Sequence, residues 1–170
     1  MRSFLLAALL AAGSTVAVAQ AAWVRFAPPE LNLSLEAPVE LKQDKDDPGT
    51  AERLSFKGYN GRTADGMIYV VVANNTSTVA DARGRTNADL VAQLADGFTR
   101  NGVGANAKVV PIAGGAAQEL SYERDQIAVR MRIIGKQPWA YNIAVMTAAA
   151  DKAKLAGPDA ERFFASAKLR

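Results

Sequence analysis

The sequence predicts an α+β domain, a mostly antiparallel sheet with a helix packed on each face, and three observations predict it. Apolar residues alternate with polar ones at period two on both sides of a single strong helical pattern. The run Met67 to Ala73 is apolar on both parities, as a strand covered on both faces is. From Lys108 to Val145, strand-like runs are separated by short turn signals, the pattern of a meander.

The chain opens with Arg2 as a short positive region and then Phe4 to Ala12, an apolar run of signal-peptide length that is too short to cross a bilayer as a helix. Ala17-Val18-Ala19 predicts cleavage after Ala19, so residues 1–19 are an export signal, with Ala21 as the alternative end. No charge lies between Arg2 and Arg25, which argues against an amphipathic surface helix. No cysteine follows the apolar run, so the thiol of a lipoprotein anchor is missing. The expected mature protein is periplasmic or secreted, with no stable membrane anchor. Its roughly 150 residues suffice for one hydrophobic core, and residues 24–170 are expected to form a single domain.

Leu31, Leu33 and Leu35 alternate with Asn32, Ser34 and Glu36 and predict a half-buried strand stopped at Ala37-Pro38. Gln43 to Thr50 is charged and carries the turn signal Pro48-Gly49, so it reads as a solvated loop before a strand containing Leu54 and Phe56. The doubly apolar run Met67 to Ala73 should be central to the sheet. Asn74 to Arg85 lacks periodicity and reads as a loop. Thr86 with Asp89 three residues later resembles a capping box. Leu90, Val91, Leu94 and Phe98 form one apolar stripe, and Asn101-Gly102 supplies a stop.

The meander begins with Lys108 to Ile112, turns at Gly114-Gly115 and continues through Gln118 to Arg124. A two-residue turn at Asp125-Gln126 sets Leu120 opposite Met131 and Tyr122 opposite Val129 on one face. It sets Glu119 opposite Arg132 and Ser121 opposite Arg130 on the other. A three-residue loop, Gly135 to Gln137, then predicts Trp139 opposite Ile133, Tyr141 opposite Met131 and Ile143 opposite Val129. Thr147 to Ala156 is alanine-rich and reads equally as loop or helix. Pro158 begins a last helix with Asp159 and Glu161 in its first turn, Phe163 and Phe164 as apolar contacts and Lys168 near its negative end.

With neither cysteine nor histidine in 170 residues, thiol nucleophiles, serine–histidine catalysis and the usual zinc sites are excluded. Asp44, Asp46 and Asp47 begin like a calcium loop, but Pro48 stands at the fifth position where an oxygen ligand is required and Ser55 at the twelfth in place of a glutamate, and the segment reads as a solvated turn. Gly102-Val103-Gly104 follows a helix and precedes a strand, the reverse of a dinucleotide-binding order, and reads as a helix terminator. No cofactor and no metal site is expected. The formal charge is only +3 and its cations are scattered, so nucleic acid is not an expected partner. The candidate anion- or partner-binding residues are Arg83 and Arg85 in the loop before the helix, and Arg130 and Arg132, two apart on one strand face. For the latter pair, a cross-strand ion pair with Glu119 is the competing structural reading.

The early strand Leu31 to Pro38, the helix preceding a strand that ends in Gly114-Gly115, the segment Gln118 to Ile134 and the closing Arg162 to Leu169 resemble the short exported bacterial domains of the PsbP-like α/β/α sandwich fold. Ala167 stands where that pattern often has an aromatic. The resemblance implies an α/β/α sandwich and accessory, protein-binding roles, without mapping any functional residue. The leading functional expectation is therefore a non-enzymatic exported protein that binds another envelope protein. The alternatives are a small-ligand or anion binder and a carboxylate-based hydrolase.

Overall fold

A computed structural model describes residues 22–49, 54–78, 84–100 and 107–170. The expected signal segment, Arg83, the stop at Asn101-Gly102 and the Gly102–Gly104 string lie outside the described residues. The elements run β1 (Val24–Phe26), β2 (Leu33–Ala37), β3 (Lys42–Asp47), β4 (Ser55–Arg62), β5 (Ile68–Asn75), α1 (Asn87–Phe98), β6 (Lys108–Val109), β7 (Ala116–Arg124), β8 (Ile127–Lys136), β9 (Trp139–Ala148), α2 (Pro158–Ala165) and β10 (Lys168–Leu169). A 3-10 turn at Thr76–Thr78 follows β5, and a 3-10 helix at Ala149–Ala156 leads into α2. The fold is α+β, and its two sheets pair antiparallel throughout.

Seven strands form the large sheet in the order β3-β4-β5-β9-β8-β7-β6, and a small sheet has the order β1-β2-β10. One face of the large sheet carries α1, whose Val91 and Ala95 pack with Leu120, Val129, Met131 and Ile133. The other face carries the small sheet and α2: Leu31, Leu33, Leu35, Phe163 and Phe164 pack with Tyr69, Val71, Tyr141 and Ile143. Each such side chain removed from water contributes about 1.5–3 kcal/mol before its ordering entropy is counted.

Local signals hold where they are strongest. Thr86 and Asp89 form the capping box reciprocally, the Thr86 hydroxyl accepting from the Asp89 N–H at 3.1 Å while Asp89 accepts from the Thr86 N–H at 3.1 Å. Helix α1 sits tight on β8, where any side chain at Gly135 would strike the Asn87 carbonyl oxygen at 2.8 Å. The Asp125-Gln126 turn has φ of 50° and 64°, both left-handed as in a type I′ hairpin turn, and it gives the expected β7–β8 register. Pro158 does open α2.

Other expectations are corrected. Strand β8 runs on through Gly135 and Lys136, and the β8–β9 turn is the two residues Gln137-Pro138, joined by a cis peptide bond, instead of a three-residue loop. Ile134 therefore faces Tyr141, Arg132 faces Ile143 and Arg130 faces Val145, which moves the apolar odd positions of β9 to the α2 side. Both parities of β9 are apolar, so periodicity alone does not choose between the registers. The charged run Lys42–Asp47 is an edge strand and not a loop. Its paired backbone and a bulge between Gln43 and Lys45 give it strand structure, while its charges discourage pairing with another chain. β5 is third in the sheet and β9 is central. Only the odd positions of β5 are fully buried, because α1 packs over β7 and β8. Leu31 precedes β2 rather than beginning it, and Lys168 belongs to β10, past the end of α2.

Candidate functional site

The β7–β8 register brings Glu119 beside two arginines. Strand alternation puts Glu119, Arg130 and Arg132 on the face that α2 and the 3-10 helix cover. Glu119 Oε1 accepts from Arg130 Nε at 3.1 Å and pairs with its second amino group at 3.0 Å, and Oε2 accepts from Arg132 at 2.8 Å. Arg130 also donates to the Leu155 carbonyl at 3.0 Å and to Glu161 at 2.6 Å, and Arg132 donates to the Phe164 carbonyl at 3.0 Å. Both guanidinium carbons lie over the Phe164 ring, at 4.8 and 5.3 Å from its centroid. Glu119 is only 4% exposed. Burial alone would push its carboxyl up, but the hydrogen bonds and charges of Arg132 and Arg130 outweigh that and hold it below the usual carboxylate range. The group is an ionised structural anchor with no proton to give near neutral pH.

Beside this cluster lies an open bowl of about 740 Å³, with Lys108, Glu119, Glu123, Arg130, Lys152 and Glu161 among its lining residues. Its charges pair off. Lys108 reaches Glu119 at 3.5 Å, Lys152 reaches Glu123 at 2.8 Å, and Arg130 bridges Glu119 and Glu161. Burial pushes the phenols of Tyr59, Tyr69 and Tyr141 up to about 12, so none of them is a phenolate base at neutral pH. Among the described residues no three acidic side chains converge as a metal site. Asp44 and Asp46 are spread along β3, bonded to Asn60 and Gln43 respectively.

A second concavity, about 530 Å³, opens on the outer face of the small sheet and is lined by Arg25, Ser34, Glu36, Arg162, Ser166 and Lys168, among others. Its floor is β2, whose odd positions point into the core and whose Ser34 and Glu36 point outward. β1 places Arg25 opposite Glu36, and β10 places Lys168 opposite Ser34. The Ser166 hydroxyl accepts from the Glu36 N–H at 2.9 Å and so ties the end of α2 to β2. Arg162 lies over the Trp23 ring at 4.2 Å and pairs with Glu36 at 2.8 Å. Arg170 holds β10 in place by donating to the carbonyls of Pro28 and Leu31.

The four arginines expected from the sequence therefore do not form one site. Arg130 and Arg132 are together, with their charges used inside the fold. Arg85 stands at the start of α1, bonded through its guanidinium to Gln93 while its carbonyl accepts from Gln137. Arg83 lies outside the described residues. Sequence reasoning missed Arg25, Ser34 and Lys168 as a group, because β1 and β10 were not read as partners of β2. The available signal was the outward parity of Ser34 and Glu36 within the Leu-x-Leu-x-Leu strand.

No family model matches the chain, and no curated protein is significantly similar to it. A crystal structure of a Pseudomonas aeruginosa protein of unknown function, PA94, is similar at 16% identity and a TM-score of 0.41, covering 79% of this chain and 88% of that one. No helix among the described residues is long and apolar enough to cross a membrane.

Proposed function

We propose that this protein is a non-enzymatic exported binding module of the bacterial envelope, with a PsbP-like α/β/α sandwich as its scaffold, and that it works by docking to another envelope protein. The observation that carries the reading is the state of its buried ionisable cluster. Glu119, the carboxylate most deeply placed in the larger bowl, is locked by two arginines and kept ionised, so it anchors α2 to the sheet and has neither the free lone pairs nor the raised pKa of a general acid or base. The chain's lack of cysteine and histidine supports the same reading. Export rests on the apolar run Phe4 to Ala12 and the Ala17-Val18-Ala19 cleavage signal. The accessory role also draws on the resemblance of Leu31 to Pro38 and of the closing helix to PsbP-like domains.

The test is affinity purification of the tagged protein from cross-linked cells, followed by mass spectrometry. One envelope protein recovered in near-stoichiometric amount is the expected result. Recovery of nothing above a tag-only control would overturn the docking reading.

A further inference from the structure

The groove on the outer face of the small sheet differs from the bowl in one respect that points to a ligand. It gathers three cations, Arg25, Arg162 and Lys168, around a single carboxylate, Glu36. Arg162 is committed to that carboxylate and to the Trp23 ring. Among the described residues, Arg25 and Lys168 have no ion pair and no side-chain hydrogen bond. Ser34 supplies the independent observation. It is 8% exposed, it lines the groove, and its hydroxyl has no hydrogen-bond partner among the described residues. The buried side-chain atoms left without a partner among the described residues are Arg132 Nε and Asn142 Oδ1, so the Ser34 Oγ is a hydroxyl open to the groove and free to bond a ligand there.

Pairing geometry places these groups in order. β2 lies between β1 and β10, so Arg25 and Lys168 rise from strands roughly 10 Å apart, two inter-strand spacings, with Ser34 on the strand between them. Both cations are long enough to close over the Ser34 hydroxyl from opposite sides. The Glu36–Arg162 pair and the Trp23 ring stand beside them and leave room for the body of a small molecule.

We infer that this groove is a binding site for an oxyanion group, phosphate or carboxylate, of a small ligand, held by Arg25 and Lys168 with the Ser34 hydroxyl donating to it. The inference goes beyond the docking reading and does not depend on it.

The test is thermal unfolding at low, matched ionic strength with inorganic phosphate or with acetate, titrated to about 50 mM against chloride, because a ligand of the native state raises the melting temperature with its concentration. The expected result is a rise for the wild-type chain that falls by at least half in Ser34→Ala, vanishes in Arg25→Gln/Lys168→Gln and persists in Lys152→Gln, which lies in the bowl. A rise with phosphate alone assigns a phosphoryl ligand, and a rise with acetate alone assigns a carboxylate. No rise with either anion, or an undiminished rise in Arg25→Gln/Lys168→Gln, overturns the inference. Each variant's melting temperature without added anion reports whether it folds.

Discussion

The larger bowl and the smaller groove are built from the same kinds of side chain and do opposite things with them. In the bowl, Lys108, Arg130 and Lys152 meet Glu119, Glu123 and Glu161, and each charge has its partner within 3.5 Å. In the groove, three cations share one carboxylate and the Ser34 hydroxyl bonds none of the described residues. Size alone would favour the bowl as the working site; charge balance favours the groove. The difference teaches that arginines close together in a fold are not by themselves a binding site, since what counts is whether the protein has already supplied their counter-ions.

That contrast can be broken most severely at Glu119. Replacing it by Gln leaves two nearly buried guanidinium groups beside a neutral amide, and removing one partner of a buried ion pair costs about 3–5 kcal/mol. Chemical denaturation of Glu119→Gln should show a loss of that order. A loss under about 1 kcal/mol would mean that the cluster is not what fastens α2 to the sheet.

Acid should sharpen the same point by a smaller amount. Because the folded carboxyl of Glu119 lies below its ordinary value of 4.5, its contribution is fully present above that value and is lost as pH falls through the lower, folded one. The wild-type chain should lose stability on acidification below about 4.5, and Glu119→Gln should lose less over the same window. Parallel pH profiles for the two proteins would contradict the assignment. The smallest effect belongs to the groove. Arg25→Gln/Lys168→Gln removes charges that hold nothing in the fold and should unfold within about 0.5 kcal/mol of wild type in the absence of anions.

The pairing of Glu119 with the two arginines was legible in the sequence, and the rest of the bowl and the groove were not. Asp125-Gln126, flanked by two strand runs whose faces match at only one register, fixed Glu119 opposite Arg132 from local information. Thr86 with Asp89, and Pro158, marked helix starts in the same way. What failed needed distant partners. β9 is apolar on both parities, so Tyr141 suited either register, and the Gln137-Pro138 turn decided between them. β3 looked like a loop because all six of its side chains are polar or charged. β1 and β10 are three and two residues long and become strands only by pairing with β2, which brings Arg25 to Lys168 across most of the chain. No short-range pattern records that meeting.

The buried arginines hold the fold, and the proposed role of Arg25 and Lys168 is to hold a ligand. The most direct measurement compares melting temperatures, with and without inorganic phosphate or acetate, for the wild-type chain, Arg132→Met and Arg25→Gln/Lys168→Gln. Arg132→Met should lower the anion-free melting temperature and keep the anion-dependent rise, whereas Arg25→Gln/Lys168→Gln should keep the former and lose the latter. A rise lost in Arg132→Met and retained in Arg25→Gln/Lys168→Gln would place the anion at the buried pair and contradict that role.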